Sequence, residues 1–387
     1  MRQILHIDLD AFFCSVEELY QPHLKGKAFA VGGSPEGRGV VAACSYGARR
    51  YGIDSAMPMA QALRLCPNLI IVSHRFGAYQ EISGQVFEYL ETLTPYLEIV
   101  SIDEGYMDAT DMNRVGSELA RDIRDKINQQ FRIPCSIGVA SSKLVAKIAN
   151  SVGKRATQGN MAPNSIFEVP TGEEEQFLGP LPIEALIGVG PKTGERLRQI
   201  GIYQISQALE KSQEELHRLL GKNGEWLYRA SRGIDSRPVS PDDTFKSLSK
   251  ETTFETDVSD EHELLGVLLR LSEQAGKRLR SRSVSCLTIS IKLRLPDFTT
   301  YTRQCSLSEP IDLDKEIYTH AKTLFERLWK PGMAVRLLGV GVSHFFEEGY
   351  QLSLFGRGSR DMQMAIDEIR EKFGDSAVGW AASDRFE

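Results

Sequence analysis

No apolar run in this 387-residue chain comes near the roughly eighteen residues that a membrane-crossing helix needs, which excludes channels and transporters of the helical type. The opening residues enter a strand without the charged, apolar and small-residue regions of a secretory signal. Six cysteines, Cys14, Cys44, Cys66, Cys135, Cys286 and Cys305, show neither a CxxC nor a Cys/His spacing fit for a metal. They read as reduced thiols in the core of a cytoplasmic protein. A surplus of positive charge is also lacking: the formal net charge is -6, against the basic balance that nucleic-acid binding usually demands. The glycine-rich stretch Gly32 to Gly39 lacks the Gly-Lys-Ser/Thr ending of a P-loop and reads as a plain turn.

The acidity is unevenly spread. From Arg270 to Arg303 there are eight basic residues and only two acids, Glu273 and Asp297, whereas from Phe346 onward nine acids face five bases. A basic surface can therefore coexist with an acidic tail. The length suits about two to four domains.

Against this background three carboxylates stand out. Asp8 lies in Ile4-Leu5-His6-Ile7-Asp8-Leu9, which alternates to place Leu5, Ile7 and Leu9 on one face and His6 and Asp8 on the other. Asp103 and Glu104 end a second alternating run, from Glu98, and Gly105 then permits a reversal into Tyr106-Met107-Asp108. Neighbouring strand residues point to opposite faces, so Asp103 and Glu104 can share a site only where the pleat breaks. Any one acid at a strand end is more often solvated or turn-capping than catalytic. Three crowded together repel unless cations intervene; Mg²⁺ suits all-oxygen ligands and substrate phosphates, and a pair of Mg²⁺ ions suits in-line nucleotidyl transfer.

Leu119, Ile123 and Ile127 mark an amphipathic helix, followed by a strand from Cys135 to Ala140 and a helix from Ser142, an order that fits a βαββαβ unit. A small helical region spans Pro170 to Gly233, and a polar stretch from Ile234 to Asp243 carries Pro238 and Pro241. Residues 245 to 345 repeat strand, helix, two strands, helix, strand. The first helix carries Leu264, Leu268, Leu271, Ala275 and Leu279, and the second Ile317, Ala321, Leu324 and Leu328. In its second strand Leu287, Ile289, Ile291, Leu293 and Leu295 should face inward. Thr288, Ser290, Lys292 and Arg294 should then form an outward face with donors for phosphate. A merely solvated face is the bland alternative.

The blocks Asp8-Leu9-Asp10-Ala11-Phe12-Phe13, Ser45-Tyr46-Gly47-Ala48-Arg49, Ser101-Ile102-Asp103-Glu104 and Ser142-Lys143-Leu144-Val145-Ala146-Lys147 have the order and spacing of one known group. From residue 1 to about 345 the chain resembles the Y-family DNA polymerases, in the bacterial DNA polymerase IV branch. The resemblance implies an α+β right-hand polymerase. It would have a ferredoxin-like βαββαβ palm (1–10 and 76–168), small fingers (11–75) and a helical thumb with a helix-hairpin-helix (169–233). A linker (234–244), a βαββαβ little finger (245–345) and a C-terminal tail (346–387) would follow. The implied activity is low-fidelity, template-directed translesion synthesis with no proofreading exonuclease.

Carried over residue by residue, the resemblance makes Asp8 and Asp103 bridge two Mg²⁺ ions. Glu104 completes the site of the ion at the primer end, and the Leu9 carbonyl adds an oxygen. Asp10, on the same face as Asp8, is left out. Tyr46, Arg49 and Lys154, with the backbone amides of Phe12 and Phe13, should meet the dNTP triphosphate. Phe13 takes the steric-gate position against a ribose 2′-hydroxyl, although paired aromatics are more often core. Ala42 and Ala56 map to a small-residue roof over the nascent base pair. Two departures are visible: Ala43 replaces a Thr that contacts phosphate in many relatives, and Arg155-Ala156-Thr157 replaces Pro-Asn-Gly after Lys154.

Gly188, Gly190 and Lys192, in Ile187-Gly188-Val189-Gly190-Pro191-Lys192-Thr193, look like a helix-hairpin-helix that meets primer-template DNA through backbone amides. Lys292 and Arg294 are the DNA-binding candidates of the last domain. Gln351, Leu352, Leu354 and Phe355 look like the peptide that docks bacterial polymerases on the sliding clamp. After it, Ile366, Ile369 and Phe373 recur at helical spacing. A monomer is expected. The rivals are a nucleotidyl cyclase on a similar palm and a non-enzymatic DNA-binding accessory protein; the presence of all three acids speaks against the second.

Overall fold

The computed structural model describes residues 1–157, 159, 162–241, 245–347, 357–374 and 377–378. Contacts divide it into two compact units, Met1–Asp243 and Thr244–Glu387.

In the first unit β1 (Ile4–Leu9) runs into α1 (Phe12–Tyr20) through Ala11, whose φ of 45° is left-handed. Then come β2 (Phe29–Gly32), β3 (Val41–Cys44), α2 (Tyr46–Arg49), α3 (Met59–Leu65) and β4 (Ile70–Val72); the three strands form a small sheet of order β3-β2-β4. The chain continues as α4 (Phe76–Glu91), β5 (Leu97–Ile99), β6 (Glu104–Asp108), α5 (Gly116–Phe131), β7 (Cys135–Ala140), α6 (Lys143–Thr157) and β8 (Ile166–Glu168). A five-stranded sheet of order β5-β6-β1-β7-β8 results, with β1 central and antiparallel to both neighbours. Leu5, Ile7 and Leu9 are buried on one face with Leu119, Ile123 and Ile127 of α5. The opposite face of β1 carries His6 and Asp8 towards α6. Alternation thus separates an apolar layer from a polar one. Short helices complete the unit: α7 (Glu174–Leu178), α8 (Pro191–Gln199), α9 (Ile205–Leu209), α10 (Gln213–Leu220) and α11 (Lys222–Ser231).

One expectation needs correction here. The reversal before Tyr106 is made by Val100–Asp103, with Val100 and Ser101 N–H donating to the Glu104 carbonyl at 3.0 and 3.1 Å; Gly105 lies inside β6 opposite Ile7. The stretch after Gly233 is hydrogen-bonded to the sheet and α6. Asp235 Oδ2 accepts from Leu144 N at 3.2 Å, Lys143 Nζ reaches the Pro238 carbonyl at 3.3 Å, and Ser240 N donates to Glu98 at 3.1 Å.

The second unit runs β9 (Ser247–Val258), α12 (Glu261–Arg280), β10 (Val284–Arg294), β11 (Thr300–Ile311), α13 (Asp314–Leu328), β12 (Val335–Glu347) and α14 (Arg357–Phe373). Asp260 caps α12, its side chain accepting from Glu263 N. The element order matches that of the first sheet, but the strand order does not: here it is β11-β10-β12-β9, with the last strand internal and the first at an edge. A register shift between Cys286 and Thr288 changes the expected facing of β10. Cys286 is fully buried, Leu287 only partly, and Thr288 is buried and bonded to His344 Nδ1 at 3.0 Å. Thr288 is therefore not a donor for an outside phosphate.

The helix α14 turns its polar side inward. Arg370 meets Glu273 at 2.8 Å and Asp314 at 3.4 Å, Gln363 donates to Asp314 at 3.0 Å, and Arg360 meets Asp312 at 3.0 Å. Met362, Ile369 and Phe373 are exposed, so the apolar spacing read in the sequence is not a core stripe. The Gln351, Leu352, Leu354 and Phe355 peptide lies outside the described residues.

Candidate active site

Pairing of β1 with β6 sets Asp8 directly opposite Glu104, and Leu9 N donates to the Asp103 carbonyl at 2.8 Å. The backbone thus brings all three acids to one end of the central strand, because the bend at Val100–Asp103 breaks the pleat just before Glu104. Ser101 Oγ organises that bend, accepting from the amides of Asp103 and Glu104 at 3.3 and 3.2 Å and donating to Asp103 Oδ1.

The helix α6 lies over this polar face with Lys143, Lys147 and Lys154 at spacings of four and seven, one side of a helix. Lys143 contacts Glu98 at 2.5 Å, Lys147 contacts Glu104 at 2.8 Å, and Lys154 contacts Asp8 at 2.5 Å and Asp10 at 2.9 Å. The His6 contact holds the Glu104 carboxyl down at about 2, with Lys147 assisting against burial. Burial pushes Asp8 up, and the Lys154 charge offsets this only in part. Burial alone would lower Lys154, but Asp8 and Asp10 outweigh it and raise the ammonium. Burial lowers His6.

Asp10 is fully buried, accepting from Ser136 Oγ at 2.7 Å and Asn164 N at 2.9 Å. It ties β1 to β7 and to the segment leading into β8. Phe12 is core, at 2% exposure, whereas Phe13 is only partly buried. The Phe13 ring stacks on Tyr79 with centroids 4.4 Å apart and planes at 14°. The Tyr79 hydroxyl donates to buried Glu17 Oε1 at 2.7 Å, whose Oε2 receives Arg75 at 3.1 Å and Gln21 at 3.0 Å. The first-turn amides of α1 have no intrahelical acceptor.

Ser45 caps α2, and Arg49 lays its guanidinium 4.6 Å from the Tyr46 ring centroid. Buried Arg49 Nε has no hydrogen-bond acceptor among the described residues, an unmet donor suited to an anion. Gly188 has φ +106°, and a Cβ there would meet the Trp226 ring at 3.1 Å, so glycine is required. Gly190 starts α8 and Lys192 is exposed in its first turn. In the second unit Lys292 pairs with Glu251, and Arg294 donates to Thr300 Oγ1 at 2.9 Å.

Among the described residues no three His, Cys, Asp or Glu side chains are gathered so as to hold a metal ion; Lys147 and Lys154 sit on the acids and Asp103 bonds Ser101. The donor set nevertheless fits a hard divalent ion. It consists of oxygen only, on one strand end, and burial keeps the Asp8 carboxyl raised even with Lys154 in place. His6, Lys147, Tyr79 and Glu17 were not singled out in the sequence. The lysine spacing along α6 was the signal for Lys147 and the alternation along β1 the signal for His6; Tyr79 and Glu17 carried none.

Residues 7–151 match the impB/mucB/samB family, 245–354 that family's C-terminal domain, and 171–202 the IMS family HHH motif. The DNA polymerase IV of Desulfatibacillum aliphaticivorans is 40% identical, over 98% of this chain and 96% of that protein. The DNA polymerase IV of Oceanobacillus iheyensis (strain DSM 14371 / CIP 107618 / JCM 11309 / KCTC 3954 / HTE831) is 36% identical, over 97% and 91%. A solved Y-family DNA polymerase chimera, Dbh-Dpo4(243-245)-Dbh, superposes with TM-score 0.76 at 25% identity, covering 89% of this chain and 100% of that one. The chain belongs to the Y-family DNA polymerases. It is accordingly a DNA-directed DNA polymerase of the translesion type, with the α+β right-hand architecture and an HHH motif. The insertion ternary complex of Dbh DNA polymerase, 26% identical with TM-score 0.65 over 89% of this chain and 100% of that one, is a further structural relative. Y-family polymerases work on primer-template DNA and dNTP and need divalent metal ions. No helix among the described residues is long and apolar enough to cross a membrane.

Proposed function

We propose that Asp8, Asp103, Glu104 and the Leu9 carbonyl hold two Mg²⁺ ions, and that this centre extends a primer by low-fidelity synthesis across damaged template. The observation that carries the reading is the register placing Asp8 opposite Glu104, with Asp103 bonded to Leu9 beside them. When bound, the ions would acidify the primer 3′-hydroxyl and neutralise charge on the triphosphate.

The chain's own groups do the rest. Lys154, now on Asp8 and Asp10, stands within side-chain reach of any phosphate brought to those acids, and Arg49 offers its unmet Nε. Tyr46 and the amides of Phe12 and Phe13 supply further donors. Phe13, propped on Tyr79, presents a ring beneath the sugar and excludes a 2′-hydroxyl. Ala42 and Ala56 leave room beneath the roof, so a distorted template base is tolerated. Gly188, Gly190 and Lys192 grip a DNA phosphate without reading sequence, as do Lys292 and Arg294 in the second unit. Gln351, Leu352, Leu354 and Phe355 tether a monomeric enzyme to the bacterial sliding clamp in the cytoplasm.

The test is Asp103→Ala. Primer extension should vanish while primer-template affinity stays near wild type; retained extension removes Asp103 from the centre. Extension with each single dNTP on a defined template also separates a polymerase from a nucleotidyl cyclase, which would form cyclic product without a primer.

A further inference from the structure

We propose that His6 is a positioning residue for Glu104: it donates from Nε2 to the carboxylate, and Asn150 fixes the ring in the tautomer that can do so. The consequence for the metal rests on the reading of Glu104 as a ligand given above; the hydrogen-bond assignment does not.

His6 is 1% exposed, two residues before Asp8 on the same face of β1. Its ring stands edge-on to Tyr106, with centroids 4.9 Å apart. Asn150 Nδ2 lies 2.9 Å from the Ser136 carbonyl, 3.0 Å from the His6 carbonyl and 3.0 Å from His6 Nδ1. Two of these three neighbours are carbonyl oxygens, which only accept. The amide nitrogen, and not Asn150 Oδ1, must therefore face them, and the same nitrogen faces His6 Nδ1. A proton on Nδ1 would point at an N–H donor, so Nδ1 is bare and the ring proton sits on Nε2.

That proton has one place to go. Nε2 lies 3.4 Å from Glu104 Oε2 and has no hydrogen-bond partner at normal distance among the described residues. A buried donor left in this state is costly unless a small movement of the carboxylate completes the bond. Lys147 also touches both Glu104 oxygens, at 2.8 and 2.9 Å, but it is a flexible side chain 29% exposed. The imidazole is rigid, pinned by Asn150 on one side and Tyr106 on the other. It thereby restricts the orientation of the Glu104 carboxylate. Groups that orient a ligand in this way typically change metal affinity by about 10–100-fold when removed.

Two measurements test this. In the ¹⁵N-histidine-labelled full chain, the His6 signals, assigned through coupling across the hydrogen bond to Asn150, should report a protonated Nε2 and a bare Nδ1 at neutral pH. A proton on Nδ1 overturns the proposal without any variant having to fold. Separately, Mn²⁺ binding to the complex with primer-template and a non-hydrolysable dNTP is followed by electron paramagnetic resonance. His6→Leu should weaken it about tenfold, with kcat lowered and the KM for dNTP unchanged, and His6→Gln, which keeps an N–H donor, should recover part of the loss. Equal Mn²⁺ affinity in wild type and His6→Leu refutes the positioning role. Absence of Mn²⁺ binding in Asp103→Ala but not in wild type keeps the ligand reading intact whichever way His6 falls.

Discussion

Replacing Tyr79 by Phe removes one hydroxyl and keeps the ring on which Phe13 rests, so the two roles of Tyr79 can be separated. The hydroxyl is the donor to Glu17 Oε1 at 2.7 Å, and the Glu17 side chain has no exposure. Arg75 and Gln21 both serve Oε2, so Oε1 is left without a donor in the variant. A buried carboxylate deprived of one hydrogen bond should cost about 2 kcal/mol, which for a unit of this size lowers the melting temperature by about 4–8 °C. The stack, with centroids 4.4 Å apart, survives, and discrimination between dNTP and rNTP should stay at the wild-type level. Tyr79→Ala removes the ring as well, so Phe13 loses its support and ribonucleotides should enter. Phe13→Ala sets the upper limit of that effect. Incorporation of dCTP against CTP, measured beside thermal denaturation, gives both readouts. If Tyr79→Phe admits ribonucleotides as readily as Tyr79→Ala, or if Tyr79→Ala discriminates like wild type, the stacked ring is not what holds the gate.

Lys154→Met should raise the KM for dNTP about tenfold or more, the scale of a lost charge-assisted contact, and leave the primer-template Kd unchanged; steady-state kinetics and fluorescence anisotropy decide between these. Glu104 has a folded pKa of about 2 against an ordinary 4.5. Its contribution to stability is therefore present above pH 4.5 and lost as the pH falls towards 2. Denaturant midpoints of Glu104→Gln at pH 5 and pH 3 should differ less than those of wild type. Deleting Gln351 to Phe355 should cut clamp binding in surface plasmon resonance while distributive synthesis on short templates continues; undiminished clamp affinity would make the peptide ordinary tail.

Period-two alternation made β1 legible, and with it the face shared by His6 and Asp8, because burial of Leu5, Ile7 and Leu9 leaves the chain one register. The helix α5 was equally plain from Leu119, Ile123 and Ile127. What alternation could not supply was the end of a strand. Ser101 closes the turn before Glu104 by hydrogen bonds that no periodic pattern records, so the reversal was expected at Gly105. The irregular pairing of β10 with β11 between Cys286 and Thr288 had the same effect: Thr288 is buried where alternation placed it outside. Residue types alone placed the three acids on strand ends. Their counter-ions come from α6, and the His6–Asn150 contact spans 144 positions, so only the folded chain brings these groups together.

The final helix, α14, carries a lesson for anyone trimming this enzyme. Asp314 is wholly buried and Glu273 nearly so, and both lean on Arg370, which the last helical turns deliver from beyond residue 356. Ending the chain before residue 357 would remove Arg370 and keep both carboxylates buried, with Asp314 left to Arg280, and buried charge with less compensation costs stability. What reads as a disposable appendix is thus a bolt that the second unit has been machined to receive.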